Sequence, residues 1–531
     1  MKLLPTVAGL GLLAATGLVQ AADPNLPRNL AATCANCHGT NGRAVPGAGI
    51  DALNGIEKAK ALQKLADFRS GAKPASIMHQ IVKGYTDEQL DLIATYCAAQ
   101  KSGDDALMLM KRRDFLKASA AAGALASLYG CAGTGKASGH VVVVGGGYGG
   151  ATVAKYLRMW SEGGVQVTLV ERNPTFISCP MSNLVVGGTR TMEEITVSYD
   201  GLKNTWGVRL IQDEVLAVDP AKRSLRLAKG GELSYDRLVL SPGIEFMWDE
   251  IPSLDNAAAQ SAILHAWKAG PQTVALRKQL EDMKNGGVYA LTIPKAPYRC
   301  PPGPYERACL VANYFKQSKP KSKVIILDAN EDVVSKKGLF TKAWTDLYKD
   351  IVEYRPNSEV KDVDVASKTA ILEFDKFKAD VLNVVPPHRA GDVAAKSGIK
   401  LINDRWVDID WLSMESTSTP GVHVLGDAVF PAPTMPKSGH MANQHGKLAA
   451  AAILNLLSGD QPNPTPVLMN TCYSFVDAKN AIHVTSVHQY DPATKVVQPV
   501  KGAGGVSTAR NEIEGKVALG WAKNIWADML A

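Results

Sequence analysis

Beyond its first two dozen positions, the sequence has no run of about 20 continuous apolar residues, the length that a membrane-spanning helix needs. It also has no dense stripe of lysine and arginine, and its net charge of +7 is small for 531 residues. These two absences argue against a membrane span and give no support to nucleic-acid binding. Hydrophobic residues make up 46% and charged residues 21% of the chain, as in ordinary multidomain globular proteins.

Two segments have the composition of export signals. Residues 1–22 have one lysine, an apolar run and small residues up to Ala22, which predicts a secretory signal peptide too short for a good membrane anchor. Residues 105–138 contain "MKRRDFLK" and then an alanine-rich stretch, the layout of a twin-arginine signal or linker in the middle of the chain. We therefore expect a periplasmic protein, in a compartment that permits disulfides.

The segment "ATCANCHGTNG" contains C-x-x-C-H, with Cys34, Cys37 and His38. Two thiols at this spacing attach one haem covalently, and the adjacent histidine binds its iron. A redox-active C-x-x-C pair and half a zinc site are the alternatives, but the first lacks βαβ surroundings and the second lacks another ligand pair nearby. Residues 23–104 are thus expected to form a small all-α cytochrome c domain with one haem c.

The sixth iron ligand is expected from the segment "KPASIMHQIVKGY". Met78 is favoured, because thioether ligation raises the haem potential and so suits an electron acceptor, and His79 is the alternative. After it, Thr86 is expected to cap a helix whose buried face includes Cys97 at the i, i+3, i+4, i+7 spacing. Cys97 is therefore interpreted as a core thiol.

A second cofactor is indicated by "HVVVVGGGYGGATVAKYLR". A four-valine strand leads into Gly145, Gly147 and Gly150 at G-x-G-x-x-G spacing and then into a helix, so that the backbone can approach a pyrophosphate at the helix N-terminus. The next strand, "VQVTLVE", ends in Glu171, where a carboxylate binds an adenosine ribose. The context predicts a dinucleotide-binding domain.

Two later segments favour FAD in a glutathione-reductase-like arrangement. "YDRLVLSPGIE" is expected to return to the cofactor at Ser241 and Gly243, and "PGVHVLGDAV" resembles the strand whose aspartate, here Asp427, binds the ribitol of FAD. The expected fold is an α/β flavoprotein with two dinucleotide-binding domains and a C-terminal α+β domain. The expected parts are an FAD domain split into 139–260 and 386–460, a second Rossmann-like domain at 261–385, and an interface domain at 461–531.

The sequence lacks a second G-x-G-x-x-G where the second domain would bind NAD(P)H. That position reads "GGVYALTIPKAPYRCPPGPYERACLVANYF", a turn rich in proline that contains Cys300. Prolines remove the backbone N–H groups that a pyrophosphate needs. We therefore expect no nicotinamide cofactor, and a thiol presented to the flavin instead.

The segments "CPPGPYER", "MPKSG" and "FISCPMSN" together resemble the flavoprotein subunit of flavocytochrome c sulfide dehydrogenase. The resemblance covers roughly 139–531, and the one-haem domain before it resembles the cytochrome subunit of that family, in which "ASIMHQIVKGY" matches the segment with the axial methionine. The chain thus resembles two subunits joined end to end, as a natural fusion or as two products written as one.

The resemblance implies roles for several cysteines. Cys179 matches the family cysteine that is joined covalently to FAD. Cys300 matches one half of a redox-active disulfide, but the position of the other half, directly after G-D-A, is Val429. Cys472 and Cys309 remain as partners, Cys309 being more in keeping with a core thiol, and a solitary Cys300 is also open.

The same resemblance implies a carboxylate near the flavin at Glu306, which would move protons, or else simply meet the helix dipole. Lys437 and the N-terminus of the helix after it are expected to stabilise negative charge on reduced flavin. The implied function is oxidation of hydrogen sulfide to sulfur or polysulfide, with electrons passing singly through haem to a soluble cytochrome c. Another sulfur compound as substrate, such as a thiol or persulfide, and a non-catalytic electron-transfer role are the alternatives.

Overall fold

The computed structural model describes residues 23–100 and 137–531. The predicted signal peptide at 1–22 and nearly all of the predicted internal signal at 105–138 lie outside these residues. Within the described ranges, no helix is long and apolar enough to cross a membrane.

The N-terminal part of the chain is a small helical module without strands among residues 23–100. Thr86 caps its last helix as predicted, because its hydroxyl accepts from the Gln89 N–H while the Gln89 side chain accepts from the Thr86 N–H. The predicted face of that helix is buried, with Cys97 4% exposed. The helices are α1 (Leu26–Ala32), α2 (Ala35–His38), α3 (Lys58–Ser70), α4 (Met78–Ile81) and α5 (Asp87–Ala99).

The next region begins the larger α/β part of the molecule. Its elements are β1 (Gly139–Val144), α6 (Tyr148–Trp160), β2 (Val165–Glu171), β3 (Thr175–Ile177), α7 (Ser182–Val186), β4 (Thr196–Ser198), β5 (Arg209–Gln212), β6 (Val215–Asp219), β7 (Ser224–Leu227), β8 (Glu232–Ser234), β9 (Arg237–Leu240) and β10 (Ile244–Phe246). The strand β1 is apolar throughout its valine run because parallel neighbours flank it on both sides.

A second α/β region follows. Its elements are α8 (Ala257–Ala262), α9 (Pro271–Asp282), β11 (Val288–Ile293), α10 (Gly303–Ser318), β12 (Lys323–Asp328), α11 (Lys337–Leu347), β13 (Val352–Arg355), β14 (Val360–Asp364), β15 (Thr369–Leu372), β16 (Lys376–Lys378) and β17 (Val381–Val384). The parallel sheet of this region has the order β13-β12-β11-β17, and β14, β15 and β16 form a small antiparallel sheet. The strand and helix predicted on either side of the proline-rich turn are thereby confirmed as β11 and α10.

The chain then returns to the first region and ends in an α+β unit. The elements are β18 (His388–Ala390), α12 (Asp392–Lys396), β19 (Leu401–Ile402), β20 (Trp406–Val407), β21 (Val422–Val424), α13 (Gly439–Ser458), β22 (Val467–Phe475), β23 (Ala481–Asp491), β24 (Val496–Val506) and α14 (Glu512–Leu530). β21 joins the first sheet to give the order β21-β9-β1-β2-β5, while β22, β23 and β24 form an antiparallel sheet against which α14 packs. The first sheet is therefore assembled from two separate stretches of chain.

The helical module docks on the C-terminal unit through a buried acidic centre, Asp528, whose side chain is 0% exposed. Its Oδ1 accepts hydrogen bonds from Thr40 Oγ1 (2.8 Å) of the module and from Tyr156 OH (2.6 Å). Its Oδ2 lies 2.8 Å from Lys447 Nζ and 3.2 Å from Asn443 Nδ2. Residues of three separate regions thus converge on one carboxylate.

A second buried contact of the same interface is made by Asn36 of α2, which is 0% exposed. Its Oδ1 accepts from Lys447 Nζ (2.8 Å) and Gln444 Nε2 (2.6 Å), so that Lys447 joins Asn36 to Asp528. Burial alone raises the pKa of Asp528, but the ammonium groups of Lys447 and Lys155 outweigh it, and the net effect is a lowered pKa. The interface therefore holds an ionised, fully bonded carboxylate.

Candidate functional site

The three glycines of the turn after β1 are required for two different structural reasons. At Gly145 (φ +95°) a Cβ would lie 2.4 Å from the Ser241 carbonyl oxygen, and at Gly150 it would lie 1.8 Å from the Gly145 oxygen. At Gly147, the residue before α6, no described heavy atom lies within 4 Å of such a Cβ. Gly145 and Gly150 thus allow close packing of the turn, and Gly147 leaves an open cradle at a helix N-terminus, which fits a pyrophosphate.

The cradle opens into a cavity of about 350 Å³, the Cys300 cavity. The predicted site residues on its wall are Gly147, Glu171, Cys179, Ser241, Gly243, Cys300, Glu306, Asp427 and Cys472. They come from both α/β regions and from β22. Of the residues predicted to bind FAD, the structure therefore brings all but Gly145, Gly150 and Lys437 onto one wall.

Two carboxylates of this wall fit the two ends of a dinucleotide. Glu171 ends β2, and its Oε2 accepts from the Gly146 N–H at 2.6 Å, which fixes the carboxylate beside the glycine turn. Asp427 lies in a short 3₁₀ turn after β21, and its buried Oδ1 has no hydrogen-bond partner among the described residues. A cofactor hydroxyl would satisfy this oxygen, so the donor and acceptor set fits FAD.

Cys179 lies on the loop between β3 and α7, and its Sγ accepts from the Ala269 N–H at 3.4 Å. It is only partly buried, and it forms part of the cavity wall. A thiol in this place is accessible from the cavity, as the predicted attachment to FAD requires.

Cys300 and Cys472 are free thiols on the wall of the same cavity. Cys300 has a left-handed backbone (φ +59°), and its N–H donates to the Lys437 carbonyl oxygen at 2.8 Å. Burial raises the pKa of both thiols above the usual value. Cys309, the other cysteine weighed as a partner, is 0% exposed on α10 and is a core thiol as expected.

Glu306 lies in the first turn of α10 and is 4% exposed. Its Oε1 accepts from the Phe475 N–H at 2.7 Å and its Oε2 from Asn183 Nδ2 at 2.8 Å. Burial raises the pKa of Glu306 to about 7, although these two hydrogen bonds act in the other direction. A carboxyl that gains and loses a proton near neutral pH beside two thiols is able to serve as an acid or a base.

Lys437 is placed differently from the expectation that it would face the flavin. Its Nζ donates to the carbonyl oxygens of Asp427 (2.9 Å) and Val429 (2.5 Å) and lies 3.6 Å from the centre of the Trp406 ring, behind the cavity wall. The ammonium group is bound by carbonyl oxygens of the G-D-A-V turn. The spacing of residues in the sequence does not reveal this contact. The wall itself is formed by the next residue, Ser438, which caps α13 by accepting from the Met441 N–H.

A second cavity, the Cys34 cavity, has a volume of about 420 Å³ and is lined by Cys34, Cys37, His38 and Met78. His38 Nδ1 lies 2.6 Å from the carbonyl oxygen of Asp51. Because a carbonyl only accepts, Nδ1 carries the proton, and Nε2 is left as a free ligand for a metal. These residues fit a haem bound through two thiols, one imidazole and one thioether. Met78 is part of the wall, whereas His79 is not among its described residues.

One side chain, Tyr473, lines both cavities. Its ring centre lies 6.3 Å from that of Trp521, which lines the Cys300 cavity and stacks on His440 at 6.1 Å and 11°. Sequence reasoning missed Tyr473 and Trp521, although Tyr473 directly follows Cys472. His440 and His445 are buried with their pKa lowered to about 3 by burial, in keeping with neutral helix residues.

Models of known families match four parts of the chain. The central domain of the flavoprotein chain of sulfide dehydrogenase [flavocytochrome c] matches residues 273–386, and the flavin-binding domain of flavocytochrome c sulphide dehydrogenase matches 464–530. The pyridine nucleotide-disulphide oxidoreductase model matches 139–276. The twin-arginine translocation signal model matches 109–129, which confirms the internal signal and suggests export across the cytoplasmic membrane.

A 46-residue stretch is 58% identical to the sulfide dehydrogenase [flavocytochrome c] flavoprotein chain of Chlorobaculum thiosulfatiphilum, and it covers 94% of that relative and 9% of this chain. The chain belongs to the flavocytochrome c sulfide dehydrogenase flavoprotein family. This family member is also 27% identical to the mitochondrial sulfide:quinone oxidoreductase of Mus musculus over 328 residues, 58% of this chain and 69% of the relative.

The fold of this flavocytochrome c sulfide dehydrogenase relative resembles the sulfide:quinone oxidoreductase of Aquifex aeolicus. The TM-score is 0.57 at 19% identity, over 72% of this chain and 89% of that structure, which shows a shared fold. The fold is therefore that of an FAD-binding pyridine nucleotide-disulfide oxidoreductase, with mixed α/β domains. Together the family matches support an FAD-dependent sulfide oxidoreductase.

Proposed function

We propose that this chain is a periplasmic flavocytochrome c that oxidises hydrogen sulfide to sulfur or polysulfide and passes the electrons to a soluble cytochrome c. The observation that carries the proposal is that Tyr473 lines both the Cys300 cavity and the Cys34 cavity. A flavin accepts two electrons at once and a haem passes them on singly, so neighbouring sites for the two groups suit such a transfer.

The Cys300 cavity is proposed to hold FAD without a nicotinamide partner. Gly147 and the N-terminus of α6 bind the pyrophosphate, and Glu171 and Asp427 bind the sugar hydroxyls. The thiol of Cys179 forms the covalent bond that retains the cofactor in a dilute compartment. The N-terminus of α13, where Ser438 lies, places partial positive charge at the cavity, and Lys437 supports it from behind the wall.

The sulfur substrate is proposed to meet Cys300, with Cys472 as the second thiol on the same wall. Glu306 holds or accepts a proton there, because burial keeps its pKa near neutrality. In the N-terminal module, Cys34 and Cys37 would hold a haem covalently, and His38 and Met78 would supply the protein ligands of its iron.

An anaerobic titration of the purified chain with sulfide tests this function. Bleaching of the flavin absorbance followed by the bands of reduced haem is the expected result. If both cofactors are present and neither changes, the chain does not oxidise sulfide.

The covalent bond to Cys179 is tested separately. Acid-denatured wild type is expected to keep both haem and flavin, and Cys179→Ala is expected to release only the flavin. Cys309→Ala, which removes a core thiol of α10, serves as the matched control and should keep the flavin bound. Free FAD from the wild type would show that the assignment is wrong.

A second candidate substrate, an organic thiol or a persulfide, is favoured by Val429. This residue occupies the position where the family has the second cysteine of its disulfide, and it is 2% exposed. The same titration, run with a small organic thiol, decides between the two substrates. Faster haem reduction by the thiol than by sulfide would favour this candidate.

A further inference from the structure

Lys336 is a buried lysine to which the proposed function gives no role. It directly precedes α11 with a left-handed backbone (φ +54°) and is 7% exposed. Its Nζ donates hydrogen bonds to the Cys472 carbonyl oxygen (3.1 Å), to Ser474 Oγ (2.8 Å) and to the Ile482 carbonyl oxygen (3.5 Å). An ammonium group has three donors, so each has an acceptor, and the position of the charge is fixed.

Two of the three acceptors of the Lys336 ammonium group belong to β22, the strand that brings Cys472 to the wall of the Cys300 cavity. Cys472 and Ser474 both belong to β22, and three residues beyond Cys472 the N–H of Phe475 donates to Glu306. The ammonium group of Lys336 is therefore bound to the same strand, β22, that fixes the Glu306 carboxyl and carries Cys472. No hydrogen bond or ion pair among the described residues joins Lys336 to a carboxylate.

The titratable groups that face Lys336 come from separate elements. They are Cys472 of β22, Glu306 of α10, Cys300 before α10 and Glu514 of α14. Burial lowers the pKa of Lys336 to about 8, and the negative forms of these four groups oppose the lowering. Conversely, the positive charge of Lys336 acts against the burial that raises the pKa of both thiols. It acts together with Arg299 at Cys300 and with the hydrogen bond from Asn470 at Cys472, each of which lowers the pKa of its thiol more than Lys336 does.

We propose that Lys336 is a positioning residue of the sulfur site, whose buried ammonium group stabilises the anionic form of Cys472 and of Cys300. A positive charge close to a desolvated thiol favours the thiolate, because little solvent is present to screen the interaction. The inference rests on the proposed function, since it names the charge that stabilises thiolate and persulfide anions at that site. The Glu514 carboxylate is already hydrogen-bonded to His483 and Ser507. The charge of Lys336 therefore acts mainly on the two thiols.

The test is the pH dependence of thiol modification in the full chain. Methyl methanethiosulfonate is applied at pH 6 to 10, and the modification of Cys472 and of Cys300 is followed by peptide mass spectrometry. Lys336→Met is expected to slow the modification of Cys472 about tenfold between pH 6 and pH 7, where Lys336 carries its charge, which is the effect of about one pKa unit at the thiol. The difference should shrink above pH 8, because the wild-type lysine then loses its charge. Lys336→Arg is expected to restore most of the wild-type profile.

Lys337→Met is the matched control, because Lys337 is the next residue, has a side chain 63% exposed and pairs with Asp332 at the surface. It should leave the profile unchanged. Lys336→Gln removes the charge but retains a side chain that can donate a hydrogen bond to Ser474, and it should slow the modification between pH 6 and pH 7 as Lys336→Met does. This variant keeps the test decisive if Lys336→Met does not fold.

An unchanged rate between pH 6 and pH 7 in Lys336→Met, or in Lys336→Gln where the first variant does not fold, would overturn the proposal. So would a wild type in which Cys472 is never modified, because the charge would then act on no accessible sulfur. Flavin bleaching by sulfide is measured in parallel. A shifted thiol profile in a chain that sulfide never reduces would support the role of Lys336 and count only against the proposed function.

Discussion

Replacing Asp528 by asparagine should destabilise the docked molecule more than any surface charge change. The side chain is fully buried, and the change leaves the ammonium group of Lys447, 5% exposed, without its counter-charge. Breaking a buried pair by removing one partner costs about 3–5 kcal/mol. Asparagine still offers one oxygen to Thr40 and Tyr156, so we expect the lower end of that range, about 3 kcal/mol.

The loss should appear as a lower unfolding temperature. At roughly 1–2 °C per kcal/mol for a chain of 531 residues, the expected decrease is about 3–6 °C by calorimetry or circular dichroism. Asp346→Asn is the matched control, because Asp346 pairs with Arg510 and Lys342 at the surface and its side chain is 34% exposed. Its unfolding temperature should change by no more than about 2 °C, since exposed pairs contribute little.

A double-mutant cycle isolates the charge pair. Lys447→Met combined with Asp528→Asn removes both charges, so the double variant should be more stable than the sum of the single losses predicts. Additive losses, or a decrease below about 2 °C for Asp528→Asn alone, would refute the view that this ion pair fastens the helical module.

Two further predictions concern the Cys300 cavity. Gly147→Ala is expected to fold but to lose flavin, because its new Cβ would occupy the cradle and meet no protein atom. Gly150→Ala should instead lower the unfolding temperature, because its Cβ would clash with the Gly145 oxygen. Equal flavin content in Gly147→Ala and in the wild type would contradict the role of the cradle. Because burial raises the pKa of Glu306 from 4.5 to about 7, its contribution is most favourable below pH 4.5 and is lost as the pH rises through 7. Glu306→Gln should therefore gain stability relative to wild type between pH 5 and pH 8, by about 3 kcal/mol at most, in denaturant titrations; a constant difference would contradict the raised pKa.

Much of the fold follows from local sequence patterns. Four features were predictable because each depends on neighbouring residues and on periodicity. They are the four valines of β1, the glycine turn, the strand that ends at Glu171 and the Thr86 cap. The same holds for β11 and α10 around the proline-rich turn. The described structure agrees with each of these predictions.

The remaining features depend on contacts between distant parts of the chain. Lys437 precedes its helix as expected, yet its charge is taken up by the carbonyls of the preceding turn, a choice between nearby acceptors that spacing does not encode. Tyr473 lines two cavities, and Lys336 is buried against β22, because of how this strand packs against two other regions. No local pattern distinguishes these side chains from ordinary core residues.

The place of α14 has a consequence for the order in which the molecule is completed. Thr40 and its acceptor Asp528 are 488 positions apart, and α14 also contributes Val517 to the Cys34 cavity and Trp521 to the Cys300 cavity. During synthesis the helical module emerges from the ribosome early, but its docking surface does not exist until α14 has been made and folded. Until then α14 does not cover the C-x-x-C-H segment. Its thiols are therefore most accessible to reagents before the helical module docks.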